Sequence, residues 1–145
     1  MKRNGDNMEI KAYDFLHNDV YKIRDEVFVI EQEFKEEFDE IDNNCIHLAM
    51  YDNEKAIAIC RYYPVSENTY AIGRIAVVKD YRQKGIGSKI VLEAENCVKN
   101  LGAEYATLSA QVRAKEFYKK LGYIAEGEEY FEEYCPHIKM KKKLN

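Results

Sequence analysis

The chain has 145 residues, 46% hydrophobic and 33% charged, enough for one domain and too apolar to stay disordered. A formal charge of -4 and the lack of any apolar run near the length of a membrane span speak against a nucleic-acid-wrapping domain and a membrane helix. A chain of this size buries roughly 70% of its unfolded surface, so a core without disulfide or metal staples is expected.

Residues 1–145 read as a single domain, with residues 1–7 a loose polar start. Met8-Glu-Ile-Lys-Ala alternates apolar and polar residues as a first strand. Asn18 can cap a helix in which Val20, Ile23, Val27 and Ile30 or Glu31 follow helical spacing. Between Arg24 and Asp42 stand nine carboxylates, with Phe34 and Phe38 four residues apart, so this stretch is either a short helix or a loop pinned by two aromatics.

Ile46–Tyr51 and Lys55–Tyr63 are strand-like runs joined by Asp52-Asn53, a hairpin. Tyr70–Val78 is almost continuously apolar, as a central strand buried on both faces would be. From Ser88 to Leu101 one helical face carries Ile90, Ala94, Cys97, Val98 and Leu101, and Gly102 follows in the stop position. Tyr105–Ser109 is another strand, followed by a helix with Ala114, Phe117, Tyr118 and Leu121 on one side and Gly122 as its stop. Two final strands start at Tyr123 and His137, the last with Ile138 and Met140 on one face. Hairpins first and strand–helix units after predict an α/β fold, a mixed sheet with helices on both faces.

Cys45, Cys60, Cys97 and Cys135 include no C-x-x-C pair, and His17, His47 and His137 share no helical face, so no metal site is expected. The cysteines read as core or wall residues of a protein in a reducing cytoplasm.

The segment Ile75-Ala-Val-Val-Lys-Asp-Tyr-Arg-Gln-Lys-Gly-Ile-Gly-Ser-Lys joins a strand to a helix through two glycines and four basic side chains. Glycines permit close backbone approach, and a helix N-terminus favours negative charge, so the loop suits an anion. It lacks the Walker spacing, and Lys84 and Ile90 occupy positions where a dinucleotide fingerprint requires glycine.

With Arg82, Gly85 and Gly87 in this strand–loop–helix setting, and with Leu108-Ser-Ala-Gln and Ala114-Lys-Glu-Phe-Tyr-Lys-Lys-Leu-Gly-Tyr downstream, the chain resembles the GNAT superfamily of acyl-CoA N-acyltransferases. Val27-Phe-Val-Ile-Glu-Gln, Glu37-Phe-Asp-Glu-Ile-Asp, His47-Leu and Pro136-His-Ile-Lys-Met look like its bacterial ElaA-like subgroup. The resemblance implies a mostly antiparallel sheet of about seven strands. It also implies transfer of an acetyl group from acetyl-CoA to a primary amine by direct attack in a ternary complex. Cofactor contacts are implied at Ile75, Val77, Arg82, Gln83, Lys84, Gly85, Ile86, Gly87, Ser88, Gln111 and Tyr118. In this reading the Val77 N–H meets the thioester oxygen and Tyr118 protonates the departing thiolate.

Many relatives carry a glutamate base on the fourth strand, where this chain has no carboxylate. Glu31, Asp39, Asp42, His47 and His137 are the remaining candidates. A small cationic amine is expected against Asp39 and Asp42, with His47 and His137 on the cleft wall. No nucleic-acid or membrane partner is expected, and a homodimer is left open. The competing reading is a non-catalytic acyl-CoA-binding regulatory module.

Overall fold

A computed structural model of the chain describes Met8 to Asn145. The expectation for residues 1–7 lies outside the described residues. Seven strands form one sheet: β1 (Met8–Tyr13), β2 (Ile46–Asp52), β3 (Lys55–Pro64), β4 (Thr69–Val77), β5 (Tyr105–Gln111), β6 (Ile124–Glu132) and β7 (Cys135–Lys143). Their spatial order is β1-β2-β3-β4-β5-β7-β6, and every neighbouring pair is antiparallel except β4 and β5.

Helices cover both faces. On one lies α1 (Asn18–Arg24), continued by a π-helical stretch, Asp25–Glu31. Val20, Ile23, Val27 and Phe28 pack there with Phe34 onto Ala49, Tyr51, Ile59 and Ala76. On the other lie α2 (Ile86–Asn100) and α3 (Lys115–Lys120), with Ile90, Val91, Ala94, Val98 and Tyr118 against Leu48, Met50, Cys60, Ile72, Leu108 and Met140. Burying a side chain such as Ile90 or Val98 contributes about 1.5–3 kcal/mol, so the α2 stripe anchors the β4–α2–β5 crossover.

Several boundaries differ from the sequence reading. The side chain of His17, not Asn18, caps α1 by accepting the Asp19 N–H. Ile30 and Leu101 point outward, 69% and 59% exposed, because each lies where its helix is ending and its face rotates away from the sheet. The acidic segment is a loop held by two aromatics: Phe34 is buried, and Phe38 stacks on Tyr21 beneath the Arg24 guanidinium, followed by a short 3-10 turn, Glu40–Asn43. The helix α2 begins at Ile86, two residues before Ser88.

Both glycine stops form the same closing motif. After α2, Gly102 N–H bonds Lys99 O and Ala103 N–H bonds Val98 O; after α3, Gly122 N–H bonds Lys119 O and Tyr123 N–H bonds Tyr118 O. Each glycine is left-handed, at φ 99° and 100°, a conformation costly for a residue with a Cβ. The second closure also sets Tyr123 edge-on to Tyr118, 6.0 Å between ring centres, which helps fix the Tyr118 ring.

Candidate active site

The strand β4 creates the cleft. It pairs with β5 only through Thr69, Tyr70 and Ala71, and past that point the two strands diverge. Its pairing with β3 skips at Arg74 and Ile75, which together face Cys60, and Arg74 has φ 49°: a bulge in the middle of the strand. Beyond the bulge the Val78 N–H donates to Ile57 O at 2.9 Å. Alternate backbone groups of a strand point to opposite sides, so the Val77 N–H and C=O face away from β3, into the wedge between β4 and β5.

At the wedge mouth the loop before α2 turns through left-handed Gln83 (φ 62°) and Gly85 (φ 77°). Gly85 O accepts the first helical bond, from Lys89 N–H, leaving the N–H groups of the first turn free of intrahelical partners. A Cβ on Gly87 would lie 3.4 Å from the Phe117 ring and 3.8 Å from Val77 Cγ2, so this face of the loop has room for a methyl and little more. Ile86 is buried below, and Ser88 follows in the first turn. Lys84 stands over the Tyr81 ring, 5.5 Å from its centre.

Arg82 does not point freely at this loop. Its Nε donates to Val77 O at 2.9 Å, and its two terminal nitrogens hold Glu31 at 2.6 and 2.8 Å. The hydrogen bond from Arg82 lowers the Glu31 pKa, making that carboxylate a poorer base. The sequence assigned these residues to separate tasks, anion binding and proton removal; the fold ties them together across the wedge.

Tyr118, 9% exposed, lines the cleft from α3, and its hydroxyl has no hydrogen-bond partner among the described residues. Burial raises its pKa far above the ordinary phenol value, so the hydroxyl keeps its proton. The cleft holds about 1500 Å³. A single small-ligand site takes roughly 300–1,000 Å³, so there is room for two reactants. Ile75 lines it, as does Gln111, whose amide is engaged: its Nε2 donates to Gln32 Oε1 at 2.9 Å and its Oε1 accepts from Arg113 at 2.7 Å.

One wall is a closed ionic network. Arg24, fully buried, binds Glu37 at 2.9 Å and Asp42 at 2.6 Å; Arg61 binds Asp39 at 2.7 Å and Asp42 at 2.8 Å; Arg74 binds Glu37 at 2.9 Å and Asp39 at 3.3 Å. Three guanidinium groups thus cancel three carboxylates. Burial alone would raise the Asp42 carboxyl, but the hydrogen bond from Arg24 and its companions hold it at about 2. Asp39 is lowered in the same way, chiefly by Arg61 working against burial, while at Glu37 burial outweighs the arginines and raises the pKa. Asp39 and Asp42 are therefore corrected: they are partners of arginines, with no free charge for a cationic substrate.

His47 is corrected too. It is fully buried behind this network and does not line the cleft, with Nε2 3.1 Å from Asp42 O and burial lowering its pKa. Asp42, Cys45 and His47 do bring potential ligand atoms within 4.8 Å of one another. Asp42 is already held by two arginines, and burial pushes the Cys45 thiol up to about 11, so the thiolate a metal requires is disfavoured.

The opposite wall joins His137, which the sequence singled out, to Glu132, Ser109 and Tyr130, which it did not. His137, 4% exposed, has Nδ1 2.9 Å from Cys135 O and Nε2 3.2 Å from Glu132. Ser109 donates to the other Glu132 oxygen at 2.9 Å and also meets the Tyr130 hydroxyl. Hairpin register accounts for the grouping: Tyr130 and Gln111 flank His137, and Glu132 faces Cys135 across the turn. The turn is tied to the loop after α1, because Glu133 accepts the N–H groups of Lys35 and Glu36 at 2.9 and 3.0 Å and Tyr134 donates to Gln32 O. The signal for this wall was present only as period-two alternation, Ser109 and Gln111 on β5 and His137 and Lys139 on β7.

Residues 14–144 match the acetyltransferase (GNAT) domain model. YjcF of Bacillus subtilis, named as an uncharacterised N-acetyltransferase, is 35% identical over 127 residues, 86% of this chain and 90% of its own length. A Lactobacillus plantarum structure assigned as an N-acetyltransferase superposes with a TM-score of 0.89 at 27% identity, covering 97% of this chain and all of the other. Escherichia coli ElaA gives 0.79 at 26% identity, over 93% and 99% of the two chains. The mostly antiparallel seven-stranded sheet, split between β4 and β5 above a glycine loop, is thus accompanied by family similarity along almost the whole sequence, and the chain belongs to the GNAT acetyltransferase family.

Proposed function

We propose that this protein transfers the acetyl group of acetyl-CoA to a primary amine by direct attack within a ternary complex. The observation that supports this is the β4–β5 wedge of a GNAT chain: the Val77 N–H turns away from β3, Ile75, Arg82 and Tyr118 line the cleft, and the Gly85–Gly87 loop leads from β4 into α2. The coenzyme pyrophosphate lies on residues 82–88, where Gln83, Lys84, Ile86 and Ser88 add backbone and charge contacts. Its pantetheine arm continues the wedge beside Ile75 and Val77.

The Val77 N–H donates to the oxygen that becomes anionic when the amine attacks, an interaction typically worth about 3 kcal/mol. Tyr118, protonated by virtue of its burial, donates to the departing sulfur. Arg82 has two candidate partners, the coenzyme phosphates and Glu31, and coenzyme binding exchanges one for the other.

Thermal denaturation with and without acetyl-CoA, together with thiol release in the presence of primary alkylamines, tests the reading. At a hundred times its dissociation constant the coenzyme stabilises the fold by about 2.7 kcal/mol. Gly87→Val, whose branches meet Phe117 and Val77, removes that shift. A shift that persists in the variant places the coenzyme elsewhere, and a shift without thiol release favours a binding module.

A further inference from the structure

Direct attack requires a group that receives the amine and takes its proton, since an alkylammonium has a pKa of about 10. Most carboxylates lining the cleft are already engaged: Glu31 by Arg82, Glu37 and Asp39 by arginines, Glu133 by two backbone N–H groups. Glu33 and Glu36 stand on the exposed loop after α1. Glu132 differs from all of them in its partners: its carboxylate meets an imidazole and a hydroxyl on the sheet, with no guanidinium, and its side chain is 44% exposed.

The Cys135 carbonyl oxygen can only accept, so the 2.9 Å hydrogen bond is donated by His137 Nδ1, which leaves Nε2 turned toward Glu132 at 3.2 Å. Ser109 fixes the other carboxylate oxygen and shares its hydroxyl with Tyr130.

The geometry points to Glu132 as the catalytic residue that binds the acceptor's ammonium group and takes its proton, with His137 and Ser109 as positioning residues. This inference rests on the reading of the protein as an amine acetyltransferase. The steps balance as follows. One proton passes from the ammonium nitrogen to the Glu132 carboxylate, and the freed electron pair forms the C–N bond to the thioester carbon. As the tetrahedral intermediate collapses, the C–S bond breaks. The sulfur takes a proton from Tyr118, and the second nitrogen proton passes through solvent to the tyrosinate and restores it. Glu132 then returns its proton to solvent.

The test is kcat/KM for butylamine with acetyl-CoA across pH 6–10, in wild type, Glu132→Gln and His137→Gln. Charged and titratable groups sharing this wall or facing it are His137, Lys139, Tyr130, Arg113, Lys35 and Glu36. Glu132→Gln keeps a partner for Ser109 but cannot accept the proton. It lowers kcat/KM about 100-fold at pH 7, and the deficit narrows toward pH 10 as free amine arrives from solvent. The KM for acetyl-CoA stays within about twofold in this variant. His137→Gln causes a smaller loss, about tenfold, with a displaced pH profile.

A folded Glu132→Gln with wild-type kcat/KM at pH 7 overturns the inference. If Glu132→Gln fails to fold, Glu132→Asp replaces it: retraction of the carboxylate lowers kcat/KM about tenfold, and an unchanged value overturns the assignment. A wild type that binds acetyl-CoA but releases no thiol with butylamine or other alkylamines overturns the functional reading and this inference with it. Wild-type turnover that is indifferent to Glu132 overturns this inference alone.

Discussion

On the wall formed by β3, β4 and the segment after α1, three arginines meet three carboxylates at 2.6–3.3 Å. On the wall formed by β5, β6 and β7, one carboxylate meets one imidazole and one serine hydroxyl. The first set holds three of the nine carboxylates in the acidic stretch, and their charge is spent internally. The second is inconspicuous in the sequence and leaves a carboxylate side chain 44% exposed to the cleft. Charge density along a chain is therefore a poor guide to charge offered to a substrate: an acid can attract a ligand only in proportion to what neighbouring groups have not already neutralised.

The largest effect expected on either side comes from breaking the closed wall. Arg24→Met leaves Glu37 and Asp42 in the interior without their central partner and lowers unfolding stability by about 3–5 kcal/mol, read from the urea midpoint. A loss under about 1 kcal/mol would mean that the carboxylates rehydrate or protonate readily, and the contrast between the walls would weaken.

At the junction of the two walls, Tyr118→Phe separates chemistry from binding. Removal of the proton donor lowers kcat about 100-fold while acetyl-CoA affinity, measured by calorimetry, stays within about twofold. Equal turnover across pH would make solvent the proton source and leave Tyr118 as packing against Tyr123.

The pH dependence of stability tests the network at Asp42. Its folded pKa lies at about 2, depressed from 3.8, so its contribution is complete above its unfolded value and disappears as pH falls through about 2. That contribution amounts to roughly 2 kcal/mol. Glu37 acts in the opposite sense: its raised pKa stabilises the fold at low pH, and this is lost as pH rises through the folded value. Acid unfolding of wild type compared with Asp42→Asn isolates the first term, and the difference in stability between them should shrink between pH 4 and 2. A pH-independent difference would remove Asp42 from the titrating groups.

The smallest effect is the sharpest contrast. Asp39 sits at the rim of the network, its side chain 34% exposed, so Asp39→Asn should leave kcat/KM for an alkylamine within about twofold at low and high salt. A drop of tenfold or more would return the acidic loop to the acceptor site and displace the β5–β7 wall.

The glycine loop before α2 was legible because its conformation is set locally. Gly85 adopts the left-handed conformation for which glycine is suited, Arg82-x-x-Gly-x-Gly is contiguous, and the strand before it and the helix after it announce themselves by hydrophobic pattern. The hairpin β2–β3, the buried stripe of α2 and the glycine stops at Gly102 and Gly122 were legible for the same reason, since nearest neighbours in sequence determine them. Tertiary structure alone decided that Arg82 reaches back to Glu31, that Asp39 and Asp42 face Arg61, and that His47 is sealed behind them while His137 meets Glu132. These partners are brought together by strand order, by the bulge at Arg74 and by the insertion of β7 between β5 and β6. Pairings made across a sheet depend on register, and a one-residue change of register turns every side chain to the other face, so local pattern can place such residues on strands without naming their partners.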